Sequence, residues 1–128
     1  MKRRGDRGQS TVELALALPV IVVLLLAVVQ LAMVVRDHLL VVHAAREAVR
    51  AAVVVTSAER ADAAQRGAVS AGPLDAARVH TAAEVLEGGD RLRVRVDYVS
   101  RTELPVIGAL VPDVGLSGDA TMRLEADR

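Results

Sequence analysis

An apolar run from Leu14 to Val35, free of any charged residue, constrains this chain more than any other feature. About 22 residues at 1.5 Å rise make a helix of roughly 33 Å, enough to cross a hydrocarbon core of about 30 Å. The apolar region of a secretory signal is only about 7–15 residues, so the run reads as a retained membrane span. It is apolar on every side, and the rest of a 128-residue chain is too small to surround it as a core helix. Met1 to Gly8, ahead of it, carries Lys2, Arg3, Arg4 and Arg7 against the single acid Asp6. That basic bias predicts a cytoplasmic N-terminus and an extracytoplasmic C-terminal part, in a single pass through the cytoplasmic (inner) membrane. Arg36 and Asp37 mark the outer edge of the span.

Two residues interrupt the run. Pro19 removes a backbone donor and crowds the carbonyl of Ala15, so a mild kink is expected, tolerable where neighbouring helices re-satisfy the backbone. Gln30 lies in the outer part of the span. It either hydrogen-bonds a neighbouring helix or reaches toward the interface. Pro19 and Gln30 are therefore the candidates for membrane-helix packing.

The remainder offers a thin core. Hydrophobic residues make up 52% of the chain but aromatics only 1%, and Tyr98 is the sole aromatic. Outside the span the apolar content is mainly Ala and Val, so the outer domain is small and marginally stable. Zero net charge implies no general attraction to nucleic acid. The absence of cysteine excludes disulfides, thiolate metal sites and a thiol nucleophile.

Glu13 stands directly before the apolar run. Read alone, it is an interfacial acid in the first turn of a helix, favoured by the macrodipole and capped by Ser10 or Thr11. Its spacing says more. Gly8, Gln9-Ser10-Thr11-Val12 and Glu13 form G-x-x-x-x-E, with a basic tip before and an apolar stretch after. This pattern resembles the processing site of type IV prepilins and pseudopilins. The resemblance implies that an aspartyl prepilin peptidase cuts between Gly8 and Gln9, and that the apolar stretch stays on the mature protein. It also implies that Glu13, the fifth mature residue, pairs with the new N-terminal amine of an adjacent subunit. An ammonium at Gln9 and the Glu13 carboxylate reduce the cost of burying either. Gly5 is the poorer site, because Ser10 occupies the position of the acid.

The string Arg7-Gly8-Gln9-Ser10-Thr11-Val12-Glu13, then Leu16-Ala17-Leu18-Pro19, is similar to the start of TadE-like pseudopilins of the tight-adherence (Flp pilus) system. The stretch from Ala44 to Ala52 resembles that family's Ala/Arg segment. Major pilins of this system carry Tyr after the acid, whereas Leu14 follows Glu13 here. The resemblance thus implies a minor subunit. Its implied partners are the prepilin peptidase, other pilin or pseudopilin subunits and the inner-membrane assembly platform.

Beyond the span, Arg36 to Val55 keeps helical register. Arg36, His43, Arg46, Glu47 and Arg50 fall on one side, and Val41, Ala45, Ala48, Val49 and Ala52 on the other. This amphipathic face packs on a small domain. Thr56-Ser57-Ala58-Glu59 looks like a capping box opening a second helix that ends near Ala71-Gly72-Pro73; alternatively the first helix simply continues. Leu74 to Ala77 is a connector. Arg78–Val85 reads as a weak strand, Glu87-Gly88-Gly89-Asp90 as a hairpin turn, and Arg91–Val99 as a strong strand with Leu92, Val94, Val96 and Tyr98 inward. Its three outward arginines fit a solvated face. Pro105 to Pro112 is apolar, either a helical turn on the sheet or an exposed patch. Leu116–Glu125 is the last strand.

The expected fold is α+β, a long N-terminal transmembrane and amphipathic helix packed on an antiparallel sheet of about three strands. The expected division is a basic leader at 1–8, a transmembrane helix with the processing motif at 9–35, a helical stalk at 36–71 and a β-rich domain at 72–128. No catalytic residue, metal, cofactor or small-molecule substrate is expected. His38 and His43 are about 140° apart on a helix and no acid completes a ligand set; no phosphate-binding loop or nucleophile elbow occurs. The rival expectation is an uncleaved signal-anchored envelope protein whose outer domain binds another membrane protein.

Overall fold

The structure is a computed structural model that describes residues 6–102, 108 and 112–124. Helix α1 runs from Asp6 to Val53 and continues through Pro19. After a turn, α2 spans Arg60–Ser70. A 3-10 turn at Ala76–Arg78 leads into β1 (Val79–Val85), β2 (Arg91–Ser100) and β3 (Val114–Arg123). The strands form one antiparallel sheet in the order β1-β2-β3. The expected α+β architecture of long helix and three-stranded sheet is what the structure has.

Two halves of α1 behave differently. From Val12 to Val35 its large apolar side chains are exposed apart from the half-buried Leu26 and Val34. From Val41 outward, Val41, Ala44, Ala45, Ala48, Val49 and Ala52 are buried. These include the apolar side anticipated from the 3.6-residue period, while His43, Arg46 and Arg50 face outward. The sheet supplies the opposite wall: Leu92, Val94, Val96 and Tyr98 are buried, and Arg91, Arg93 and Arg95 are exposed. Leu92 is the largest of the fully buried side chains, at 1% exposure. Leu92→Ala should cost about 2–5 kcal/mol, read as a lowered denaturation midpoint with Tyr98, 7% exposed, as the built-in probe.

Glycines set how closely the layers approach. A Cβ at Gly67 would lie 2.8 Å from the Glu47 carbonyl oxygen and 3.1 Å from Ala48 Cα, so α2 rides directly on the backbone of α1. On the other flank a Cβ at Gly118 would lie 3.1 Å from Val42 Cα, which seats β3 against the same helix. The hairpin between β1 and β2 uses positive φ at Gly88 (102°) and Gly89 (71°), where residues with a Cβ are strained. Gln65 ties α2 to the sheet, its Nε2 donating to the Val79 carbonyl at 2.8 Å and its Oε1 accepting from Thr81 Oγ1 at 2.9 Å.

Several details differ from the sequence expectations. The stalk does not continue: it turns at Val53 and α2 folds back onto it. Glu59, not Thr56, is the N-cap of α2, with no side-chain cap bond. The Thr56 hydroxyl instead donates to the Glu59 carboxylate at 3.1 Å, so the capping-box pair forms one turn upstream of the helix. The connector holds the 3-10 turn, capped by Asp75, whose carboxylate accepts from Ala77 N–H at 3.1 Å and binds Arg78 at 2.9 Å. The last strand begins at Val114, ahead of Leu116, because pairing with β2 down to Ser100–Val114 recruits Gly115. Pro105–Pro112 lies outside the described residues except for Gly108 and Pro112.

Candidate processing and assembly site

The sequence places the candidate site at the N-terminal end of the apolar half of α1. Helix α1 starts at Asp6, so Gly8, Gln9 and Glu13 all lie on its helical backbone. Ser10 and Thr11 are inside the helix and not at its N-cap, a departure from the capping role read for them; the apolar run propagates helix upstream past both. Gln9 and Glu13 are exposed. They are separated by the i, i+4 interval, which puts them on one face of the helix. The Gly8–Gln9 bond falls in the first turn, where N–H groups have no intrahelical carbonyl to bond. Glycine is also the weakest helix former after proline, so opening that turn costs little. A chain cut there would begin at Gln9, and Glu13 would stand about one turn from the new end.

Pro19 is exposed on the apolar half. Gln30 is placed otherwise than a lipid-facing residue. It is only 6% exposed, and its Nε2 donates to Thr102 Oγ1 at 3.4 Å, a long bond across 72 positions of sequence. Its Oε1 is buried with no hydrogen-bond partner among the described residues. Nearby, Ser100 Oγ donates to Asp37 Oδ2 at 2.7 Å. These two contacts join the outer end of the span to the end of β2. Sequence reading named Gln30 and Asp37 but neither partner, because no local pattern signals contacts of such separation.

The outer face of the sheet brings together residues that spacing did not. His80 pairs with Asp97, and Asp97 with Ser117, across three adjacent strands. They border a shallow hollow of about 310 Å³. The order is wrong for a nucleophile relay, which needs the imidazole between acid and hydroxyl. Asp97 is held instead by Arg95 at 3.0 Å. Arg93–Asp119 (3.9 Å) and Arg123–Asp90 (3.9 Å) complete an exposed mixed-charge face. Such pairs contribute little stability. No group of three or more potential metal ligands occurs among the described residues.

Fold and site together define a class: a small α+β domain carried on one long helix whose apolar half is left uncovered and is long enough to cross a membrane. Residues 8–50 match the family model described as TadE-like protein, so that stretch is similar to the TadE-like proteins of the tight-adherence system. The matched segment falls wholly on α1, and α2 and the sheet lie beyond it. The resemblance read from Gly8–Glu13 and the Ala/Arg stretch is thereby borne out. That family is a structural component of pilus assembly, and the likeness is to it over this stretch. No curated protein and no solved structure matches.

Proposed function

We propose that this protein is a minor pilin-like subunit of a tight-adherence pilus or secretion system, trimmed by a prepilin peptidase between Gly8 and Gln9. The observation that carries the reading is the coincidence of three things on one helix. The family match begins at Gly8, the G-x-x-x-x-E spacing ends at Glu13, and an uncovered apolar helix follows at once. The chain sits with its N-terminus in the cytoplasm and its sheet outside the inner membrane. After trimming, Gln9 supplies an ammonium and Glu13 of a neighbouring copy or sister subunit supplies the counter-charge. The exposed apolar half of α1 then moves from lipid to helix–helix contacts, where Pro19 breaks the regular surface. The domain has no catalytic role; its sheet is the part presented to other subunits.

Mass spectrometry of the protein from cells with an active tight-adherence system tests the reading. The expected mature chain starts at Gln9. A chain still carrying Met1–Gly8 in those cells would sink it and leave the uncleaved anchor.

A further inference from the structure

We infer that the outer membrane boundary lies at Gln30, well inside the apolar run, and that the β2–β3 end of the sheet rests in the headgroup layer of the outer leaflet. The inference rests on the reading of α1 as a membrane anchor and goes beyond it. Hydropathy alone would put the boundary at Val35, where the uncharged run ends. Gln30 would then lie about 8 Å deep in hydrocarbon. It does not lie there alone. Thr102 Oγ1 accepts from Gln30 and donates to the Pro112 carbonyl at 3.4 Å, and the Asp113 carboxylate accepts from Thr102 N–H at 3.2 Å. Asp113 is exposed, so the level of Gln30 carries a solvent-facing carboxylate. A charge at that depth in hydrocarbon is costly. In the headgroup layer it is not.

The direction of the strands agrees. Ser100 meets Asp37, Thr102 meets Gln30, and Gly118, the partner of Val96, meets Val42. β2 therefore descends toward the membrane as α1 rises from it. The Gly88–Gly89 turn is at the far end of β2, roughly 33 Å away along the strand. Thr102 and Pro112, at that end of the sheet, thus lie at the lipid surface. Leu31, Met33 and Val35, exposed on α1, belong to the same layer.

The boundary leaves Leu14–Val29 for the hydrocarbon, about 24 Å of helix against a core of roughly 30 Å. Local thinning of the bilayer and an inward pull on Glu13 make up the difference at modest cost per ångström.

Depth-dependent quenching of the full chain in phospholipid vesicles tests this. The chain has no cysteine, so single substitutions carry a fluorophore cleanly. Pro112→Cys, Glu87→Cys and Leu24→Cys are all at exposed positions, and nitroxides are placed either on the headgroup or midway along the acyl chain. The Leu24 fluorophore should be quenched most by the chain nitroxide. The Pro112 fluorophore should be quenched several-fold more by the headgroup nitroxide than the Glu87 fluorophore is. Equal, weak quenching at Pro112 and Glu87 would overturn the inference while Leu24 upheld the anchor. Stronger quenching of Pro112 by the chain nitroxide would also overturn it. An unquenched Leu24 would remove the anchor reading and this one together.

Discussion

Glu13→Ala is expected to give a chain that is still trimmed after Gly8 but no longer assembles. In the isolated subunit Glu13 is exposed, so its loss should leave the unfolding midpoint of the outer domain unchanged. Trimming depends on the bond at Gly8–Gln9, which the substitution leaves alone. On the proposed reading assembly is different, because it would take the new ammonium of Gln9 out of water. Breaking a buried ion pair by removing one partner costs about 3–5 kcal/mol, roughly 10²–10⁴ in an association constant at 1.36 kcal/mol per decade. The measurement is the ratio of assembled to membrane-extracted protein, with the mature N-terminus read on the same samples. Glu13→Gln, which keeps the shape and loses the charge, should fall close to alanine. Normal assembly of either variant would reduce Glu13 to an interfacial acid and favour the signal-anchored alternative.

Gly67→Val should be among the most damaging single changes in the outer domain. In an ordinary exposed helix, replacing glycine by alanine gains about 1 kcal/mol. Here even a Cβ meets the Glu47 carbonyl oxygen at 2.8 Å and Ala51 Cβ at 3.0 Å. The first of these is backbone and cannot rotate away. α2 must therefore lift from α1, which also pulls Gln65 from the Val79 carbonyl and from Thr81. Overpacking of this kind costs about 1–3 kcal/mol, and the two extra methyls of valine put it at or above the upper end. Gly67→Ala should destabilise less, yet with the sign opposite to its helix propensity. Denaturation followed at Tyr98 reads both. A Gly67→Ala protein more stable than the parent would show that the two helices are not in backbone contact.

What the sequence made legible was whatever repeats locally. The uncharged run, the small-residue side of α1 and the alternation of β2 each announce themselves within a few turns or pleats, and Glu87–Asp90 names its own turn through two glycines. The candidate site was legible for the same reason: Gly8, Gln9 and Glu13 are neighbours along the chain. Contacts between distant segments were not. Gln30 was open to a bond with a neighbouring helix or a reach toward the interface, and its amide is on Thr102 of the same chain. Nothing in Ser100 or Asp37 foretold their bond. The return of α2 onto α1 turned on Gly67, which reads as a helix weakener until the facing backbone is in view. β3 was anticipated too short at its start because Gly115 is a poor strand former; Gly118 is present because only a residue without Cβ admits the α1 backbone so closely.

The single unbroken α1 has a mechanical consequence. At 48 residues it is a rod of about 72 Å, shared end to end by the bilayer and the sheet. The outer clasp of Gln30 and Asp37 fixes the domain to the rod on the near side, and the seat of Gly118 on Val42 fixes it farther along. No loop separates anchor from cargo. A force applied to the sheet is therefore delivered directly to the span, and a subunit pulled from the bilayer comes out as one stiff body and not by unravelling.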